Sequence, residues 1–425
     1  MCKDNSNMKK SCYTLSICDY DEKKYIYNTR TGELVRLEKD IEYFLDIHEE
    51  ENVHILNILN EKGFIVPELF DERKAVFTEK INFLEKSNSG QLCIVIALTP
   101  QCNFSCVYCY ENRHGVSNNM SNEIREKVIE FIKGICEKRK YINKIQIVWF
   151  GGEPLLDIQG IQFFGNELQK FTQNKNMDFT TNIITNGKYI DKYLVILNKY
   201  NLKNIQISID GFEEIYAKYR HTDKRTFYQV VENINRARKV SHVSIRLNLL
   251  KNNLGSIKHF CKWFEQEYGL DNIDFFPAKV EGNTGIEASE DEYLDLKIEL
   301  LDYFYENHWI NQLKNFVSGP RQGFCTLAQA GNCAIDWDGM IYKCEHFVGE
   351  EKYAVENVCS PNCQLYDRHF FTYTKAHDER CRSCVLFPLE LCGCELMVVE
   401  KNESICNKRQ YLFKKCLEYI IKGKI

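Results

Sequence analysis

Three cysteines stand close together in the segment TPQCNFSCVYCYEN, namely Cys102, Cys106 and Cys109. Thiolates separated by three and then two residues on one short loop can bind three corners of a cubane iron–sulfur cluster, which leaves the fourth iron open to another ligand. The alternative is a zinc site, but zinc loops usually pair one CxxC with a second complete pair, and the helical stretch that follows contains none. The spacing therefore favours an iron–sulfur cluster with an open iron.

A second group of cysteines lies near the end of the chain. Of the 20 cysteines, 11 fall within residues 325–425. The N-terminus, MCKDNSNMKK, has no apolar run after its charged residues, so we expect no signal peptide, no membrane span and a cytoplasmic protein. Clustered thiols in a reducing compartment more often bind metal than form disulfides. The tail is therefore predicted to be built around metal, with iron–sulfur clusters and two zinc sites as the alternatives.

The loop that carries the first three cysteines follows a predicted strand. From Gln91 onward, apolar β-prone runs alternate with amphipathic helical stretches, which is typical of β/α units around a parallel sheet. The six predicted strands, the first five each followed by a helical stretch, are 92–98, 144–150, 178–185, 204–210, 243–250 and 272–278. Six units predict an open, partial (β/α)6 version of the eight-unit TIM barrel, in which the site lies at the carboxyl ends of the strands.

Shorter elements precede this region. Residues 25–37 read as a hairpin, Glu38–Ile47 and Asn52–Lys62 as helices, and the run FIV after Gly63 as a strand. A charged helix, DERKAVFTEKINFLEK, then leads to a polar linker at 87–90. Together these elements predict a small winged-helix module that is a separate fold.

Composition excludes several functions. The 425 residues contain 55 Lys and Arg against 60 Asp and Glu, which gives a formal charge of -5. The chain therefore lacks the net positive charge that would favour binding to nucleic acid. Hydrophobic residues at 44% and charged residues at 27% lie in the range of globular proteins. We expect two or three domains and neither nucleic acid nor a membrane as partner.

Motifs after the successive strands carry a resemblance to a known family. Gly151-Gly152-Glu153-Pro154 follows the second strand, Thr185-Asn186-Gly187 the third, and Ser208-Ile209-Asp210-Gly211 the fourth. With the cysteine loop, they resemble the motifs of radical S-adenosylmethionine (SAM) enzymes. The resemblance implies a [4Fe-4S] cluster on the three cysteines whose open iron chelates SAM. It further implies that Gly151, Gly152 and Glu153 bind the SAM ammonium, with Asn186 and Asp210 in the same site. Ser208 and Arg220 would hold the SAM carboxylate, and Tyr108 would lie against adenine.

The cysteine-rich tail is similar to a SPASM domain, a module that binds two auxiliary [4Fe-4S] clusters and would bring the total to three. By order along the chain, the first auxiliary cluster would be bound by Cys325, Cys333, Cys344 and Cys394. The second would be bound by Cys381, Cys384, Cys392 and Cys406. The spacing around Cys392 and Cys394 departs from the usual pattern, and Cys359 and Cys363 lie outside it. Glu345, directly after Cys344, is positioned like a site acid that moves a proton, with a surface carboxylate as the alternative.

The N-terminal module resembles the winged helix that recognises leader peptides in maturases of ribosomally made peptides. That recognition adds a peptide strand to a sheet edge. Winged helices more often bind DNA, but EEENVHILNILNEKG would present acid to phosphate, which favours a peptide. The predicted domains are the winged helix at 1–88, the radical SAM barrel at 91–280, a bridging region at 281–320 and the SPASM domain at 321–425.

The resemblance implies a peptide-modifying enzyme, in which SAM cleavage gives a 5′-deoxyadenosyl radical that takes hydrogen from a precursor peptide. A cysteine thioether is the favoured product. The implied partners are a leader-bearing precursor peptide and an external electron donor of flavodoxin or ferredoxin type. The alternatives are a maturase of a folded protein, similar to anaerobic sulfatase maturases, and a non-catalytic, metal-stabilised peptide-binding protein.

Overall fold

The structure is a computed structural model that describes residues 8–18, 23–37, 53–86, 90–111, 118–282, 284–317, 319–320, 331–360, 379–389 and 403–423. Its strands are β1 Met8–Lys10, β2 Thr14–Cys18, β3 Lys24–Asn28, β4 Leu34–Leu37, β5 Ile65–Pro67, β6 Gln91–Ala97, β7 Lys144–Phe150, β8 Asp178–Thr185, β9 Leu202–Ile209, β10 His242–Leu249, β11 Ile273–Lys279, β12 Cys333–Ile335, β13 Met340–Tyr342 and β14 Glu356–Asn357. Its helices are α1 Val53–Glu61, α2 Glu72–Lys86, α3 Asn122–Lys138, α4 Ile158–Lys175, α5 Ile190–Asn198, α6 Glu213–Arg220, α7 Lys224–Ala237, α8 Leu254–Tyr268, α9 Glu290–Glu306, α10 Ile310–Leu313, α11 Glu379–Ser383 and α12 Glu403–Gly423.

The described chain forms two compact units, each built from segments that are separated in sequence. The first unit contains Met1–Leu84, Leu301–Phe324 and Arg368–Ile425, and the second contains Glu85–Leu300 and Cys325–Asp367. The predicted domains instead follow one another along the chain, and their boundaries remain a prediction.

The second unit contains a nine-stranded sheet in the order β11-β10-β9-β8-β7-β6-β12-β13-β14. Strands β6 to β11 pair in sequence order and in parallel, which confirms the predicted open α/β architecture of six strands. Helix α9 also follows the sixth strand, where the sequence indicated none. The C-terminal ends of six parallel strands therefore meet at one edge of the sheet, as the motifs require.

The parallel strands alternate between a fully buried face and a partly accessible face. On β10, for example, Val243, Ile245 and Leu247 are completely buried, whereas Ser244 and Arg246 between them are half-buried. Successive side chains of a strand point to opposite faces of the sheet. The hydrophobic positions therefore pack into the core, and the polar positions line the accessible side of the sheet.

A strand from the cysteine-rich tail extends this sheet. Strand β12 pairs in parallel with β6, the strand that precedes the first cysteine loop, and places Cys333 opposite Ile94. The Asn332 side chain accepts a hydrogen bond from the Cys93 backbone N–H at 2.8 Å. Strand β13 then pairs antiparallel with β12 and leads to Cys344. This pairing explains how a distant part of the sequence reaches the first cysteine loop.

The first unit contains a three-stranded antiparallel sheet, β2-β3-β4, and a two-stranded pair, β1-β5. The β3–β4 hairpin, the helix α1, the short strand β5 and the helix α2 all correspond to predicted elements. The predicted helix Glu38–Ile47 and the linker residues 87–89 lie outside the described residues.

The N-terminal sheet packs against the end of the chain within the first unit, so residues 1–88 do not form that unit's core alone. Four residues of β2 and β3 share one buried cluster with five residues of the tail: Leu15, Ile17, Tyr25, Tyr27, Leu386, Leu389, Phe413, Leu417 and Ile421. The Tyr13 hydroxyl also donates to the Arg382 carbonyl at 3.1 Å, and the Thr29 hydroxyl donates to the Val385 carbonyl at 2.5 Å. The sequence could not predict this packing, because no local pattern specifies which two apolar faces pack against each other.

Among the described residues, no helix is both long enough and apolar enough to cross a membrane.

Candidate active site

One open cavity brings together most of the predicted site residues of the second unit. The predicted residues that line it are Cys102, Cys106, Tyr108, Cys109, Gly151, Gly152, Asn186, Ser208 and Arg220. They come from the loop after β6 and from the carboxyl ends of β7, β8 and β9, with Arg220 at the end of α6. The structure thus assembles in one place what the sequence distributes over more than 100 residues.

The two glycines after β7 allow the cysteine loop to approach the sheet. Gly152 N–H donates to the Thr99 carbonyl at 2.9 Å, and Glu153 N–H donates to the Gln101 carbonyl at 2.8 Å. A Cβ atom on Gly151 would clash with the Thr99 carbonyl, and one on Gly152 would clash with the backbone of Gln101. Gly151 also has φ of 113°, which favours glycine. The glycines are therefore needed where two backbones meet beside Cys102.

Glu153 directly follows these two glycines and is fully buried. Its carboxylate accepts hydrogen bonds from the Thr185 hydroxyl at 2.8 Å, from the Asn186 N–H at 2.8 Å and from the Leu155 N–H at 3.0 Å. Burial raises the pKa of Glu153, and these hydrogen bonds oppose that rise. The carboxylate therefore ties the loop after β7 to the end of β8, which positions Asn186 at the cavity.

Asp210 is the centre of a second buried hydrogen-bond network, which includes the cavity residues Tyr108 and Arg220. It forms a buried ion pair with Arg220 at 2.6 Å and accepts hydrogen bonds from the Tyr108 hydroxyl and, at 2.8 Å, from Asn248 Nδ2. Arg220 Nη2 also donates to the Tyr108 hydroxyl at 3.2 Å. One carboxylate thus joins the cysteine loop, β10 and α6. Tyr108 and Arg220 both face the cavity, although part of each polar group is already engaged in this network.

The three thiols of the loop suit an iron–sulfur cluster by their chemistry. Cys102 Sγ accepts the Phe104 N–H at 3.4 Å and lies 3.8 Å from Asn186 Nδ2, and donors of this kind stabilise a cluster-bound sulfur. The thiols are open to the cavity, yet loss of hydration to the surrounding protein raises the pKa of Cys102 to about 11 and of Cys109 to about 12. Nearby carboxylates add to this rise, so a bound cation is needed to hold these sulfurs as thiolates. No three His, Cys, Asp or Glu side chains of the described residues are grouped to hold a single metal ion.

Residues that the sequence reasoning missed complete the cavity. Tyr110, Arg246 and His346 line it, and the rings of Tyr110 and His346 lie 5.7 Å apart. Glu345, the predicted site acid, is half-buried beside His346. Burial raises the pKa of Tyr110, the Glu345 carboxylate adds to this rise, and the Arg246 guanidinium opposes it. Arg246 could have been found, because Ser244, Arg246 and Asn248 are polar at alternate positions of a strand that is otherwise apolar. His346 has no comparable signal in the sequence.

Two of the predicted ligands of the first auxiliary cluster belong to this unit. Cys333 lies in β12 and is fully buried, and Cys344 follows β13 with 9% exposure. Cys344 Sγ lies 3.7 Å from Glu345 Oε2. The remaining two, Cys325 and Cys394, lie outside the described residues, as does Cys363, whereas Cys359 is exposed.

Three of the predicted ligands of the second auxiliary cluster are described in the first unit. Cys381 and Cys384 form a turn in which the Cys384 N–H donates to the Cys381 carbonyl at 3.0 Å. Gln410 Nε2 lies 3.8 Å from Cys384 Sγ, and Cys406 precedes Gln410 by one turn on the same face of α12. The turn and the helix thus bring the three cysteines into one region. Cys392 lies outside the described residues.

Comparison with known proteins agrees with this geometry. Residues 96–264 match the family described as Radical SAM superfamily. A cysteine-type anaerobic sulfatase-maturating enzyme of Clostridium novyi (strain NT) is 25% identical over 331 residues, which cover 69% of this chain and 84% of that protein. A GTP 3′,8-cyclase of Nautilia profundicola is 30% identical over 157 residues, which cover 36% of this chain and 46% of that protein.

Two solved structures have a similar fold. Native anSMEcpe with bound AdoMet matches with a TM-score of 0.58 and 18% identity, over 78% of this chain and 98% of that chain. Streptococcus suis SuiB bound to the precursor peptide SuiA matches with a TM-score of 0.52 and 15% identity, over 94% of this chain and 100% of that chain. The SuiB likeness extends over nearly the whole chain.

Proposed function

Since this chain is an enzyme of the radical SAM superfamily, we propose that it modifies a ribosomally made precursor peptide, with a cysteine thioether as the product. The observation that carries the proposal is the shared cavity, which is lined by the cysteine loop and by His346, the residue that follows Glu345. When bound, the cluster and SAM supply a radical that removes a hydrogen atom from the substrate. The protein residues around the cavity hold the reactants and handle the proton.

The residues near the cysteine loop are proposed to hold SAM. Gly151, Gly152 and Asn186 present backbone and amide groups to the cavity beside Cys102, and Ser208 and Arg220 present a hydroxyl and a guanidinium. Glu153 and Asp210 act through these groups, because their carboxylates are already bonded to the surrounding protein. Each of these roles can be tested through SAM affinity.

Glu345 is proposed to move the substrate proton. It follows Cys344 directly, and it is half-buried next to the cavity residue His346. If Cys344 binds an auxiliary cluster with Cys333, a substrate thiol at that cluster would lie next to a carboxylate that can take its proton. Three [4Fe-4S] clusters with the ligands predicted above, and an external flavodoxin or ferredoxin as electron donor, belong to the same proposal.

The first unit is proposed to bind the leader of the precursor. Strand β4 pairs with β3 and lies at the end of its three-stranded sheet, and Val35 and Leu37 pack against the core while Leu34 is 41% exposed. An extended peptide can add to such an edge through backbone hydrogen bonds. The structure with the similar fold, SuiB, was solved with its precursor peptide SuiA.

Hydrogen exchange with a leader-bearing and a leaderless peptide tests this proposal. The leader should slow exchange of the β4 amides, because new backbone hydrogen bonds stabilise them, while amides of the central strand β3 should change little. Equal modification of both peptides, without protection of β4, would contradict leader recognition.

That outcome would favour the second candidate, a maturase that oxidises a residue of a folded protein. The similarity to the sulfatase-maturating enzyme of Clostridium novyi, which spans 84% of that protein, supports this candidate. A purified, unmodified sulfatase used as the substrate distinguishes the two, since a thioether-forming peptide maturase should leave its mass unchanged.

A further inference from the structure

Arg246 is an arginine of the cavity to which the sequence motifs assign no role. It lies at an accessible position of β10 and lines the cavity. Its Nε donates to Asn248 Oδ1 at 3.1 Å, and its Nη2 donates to the Lys279 carbonyl at 3.1 Å. These two bonds hold the guanidinium on two sides, so its orientation is set before any ligand arrives.

The charge of Arg246 is not balanced by an ion pair within the described part of the chain. The other cavity arginine, Arg220, is paired with Asp210 at 2.6 Å, and the cavity residue Glu281 lies 3.4 Å from Lys279 Nζ. A guanidinium has five N–H donors, of which Arg246 uses two in bonds to described residues. A half-buried guanidinium with unused N–H donors is suited to bind an anion.

The planar fork of a guanidinium matches a carboxylate, which it can bind through two parallel hydrogen bonds. Two carboxylates are candidates, that of SAM and one of the substrate. Arg246 lies opposite Ser208 in the pairing of β10 with β9, and Ser208 is proposed to hold the SAM carboxylate. SAM is therefore one ligand to consider for Arg246. However, Arg220 already supplies a cation beside the cysteine loop, whereas Arg246 Nη2 donates to the Lys279 carbonyl of β11, which lies on the opposite side of β10 from the strand of Ser208. Arg246 therefore belongs to the part of the cavity where the substrate is expected to react.

We propose that Arg246 binds a carboxylate of the peptide substrate, either from an acidic side chain or from the C-terminus, and so selects peptides that carry one near the modified residue. This inference rests on the proposed peptide-modifying function. It adds a chemical rule for the substrate, because a peptide without a correctly placed carboxylate would leave a half-buried cation unpaired.

The test uses the full-length, anaerobically reconstituted protein and synthetic peptides with one central cysteine. Aspartate or asparagine is placed at successive positions on either side, and each peptide is made with a free and with an amidated C-terminus. Peptide affinity is measured by fluorescence anisotropy, and SAM affinity is measured separately by equilibrium dialysis. At one position, aspartate should bind about 10- to 100-fold more tightly than asparagine, the range for a hydrogen bond to a charged group. If the C-terminus is the source instead, the free acid should exceed the amide by the same factor.

Variants assign the preference to one residue. Arg246→Gln should abolish the preference without changing SAM affinity, and Arg246→Lys should retain part of it because the charge remains and the fork is lost. Arg236→Gln is the matched control, since Arg236 is a half-exposed helical arginine with surface partners only. It removes the same charge and should retain the full preference.

Three results would overturn the inference while leaving the proposed function in place. They are binding of all peptides without a carboxylate preference, a preference that survives in Arg246→Gln, and a fall in SAM affinity equal to the fall in peptide affinity, which would assign Arg246 to SAM. Failure of the wild-type protein to bind or modify any peptide would instead contradict the proposed function. If Arg246→Gln does not fold, the aspartate and asparagine pairs on the wild-type protein and Arg246→Lys still decide the question.

Discussion

Replacing Phe413 with alanine should loosen both ends of the chain together. Phe413 lies on α12, is 1% exposed and packs against Tyr27 of the N-terminal sheet with ring centroids 5.6 Å apart. Truncation of a buried phenylalanine costs about 3–5 kcal/mol. A domain of ordinary stability has about 5–15 kcal/mol in total, so the loss is a large part of the stability of the first unit.

Hydrogen exchange measured by mass spectrometry resolves this effect by segment. In Phe413→Ala, exchange should become faster in β2 and β3 as well as in α12, because they share one core. Tyr411→Ala is the matched control, since Tyr411 is an aromatic residue of the same helix with 52% exposure, and should change stability by less than about 1 kcal/mol. Faster exchange that is confined to α12 would refute the claim that the N-terminal sheet and the tail form one unit.

The same packing predicts that deletion of residues 1–88 would do more than remove leader binding. The deletion would also expose the apolar residues of α12 and of the turn that carries Cys381 and Cys384. Leader recognition is therefore better tested in the full-length protein than in a truncated one.

Three further predictions concern substitutions of residues in or next to the cavity. The triple replacement of Cys102, Cys106 and Cys109 by alanine should abolish formation of 5′-deoxyadenosine while iron remains in the tail, as measured by chromatography and iron analysis, and continued formation would refute the assignment of the open iron. Asp210→Asn should lower stability by about 3–5 kcal/mol in chemical denaturation, because it leaves a buried guanidinium without its counter-charge, and a change under about 1 kcal/mol would contradict the network. Gly152→Ala should weaken SAM binding in equilibrium dialysis by displacing the loop before Cys102, and unchanged affinity would show that the close backbone approach is not needed.

Much of the second unit could be predicted because its signals are local. Six apolar runs alternate with amphipathic stretches, and a parallel order follows from short connections through helices. The predicted residues after β6, β7, β8 and β9 line one cavity because the carboxyl ends of parallel strands meet at one edge. Arg246 was missed because attention to strand ends overlooks a side chain that lies within a strand and faces the cavity.

The remaining features depend on contacts between distant segments. The pairing of β12 with β6 brings Cys333 beside a strand that lies more than 200 residues earlier, and no local pattern specifies that pairing. The burial of Tyr27 against Phe413 is equally non-local, since each residue alone looks like an ordinary aromatic of a core. The sequence also predicted Glu153 and Asp210 as site residues, but not that their carboxylates would be engaged by neighbouring protein groups.

The central claim is that a radical derived from SAM removes a hydrogen atom from a peptide bound in the cavity. The direct measurement is transfer of deuterium from a peptide labelled at the candidate positions into 5′-deoxyadenosine, followed by mass spectrometry with the anaerobically reconstituted full-length protein and SAM. We expect deuterium in 5′-deoxyadenosine together with a mass loss in the peptide. Modified peptide with no deuterium in 5′-deoxyadenosine, from a peptide labelled at every carbon of the modified residue, would contradict it.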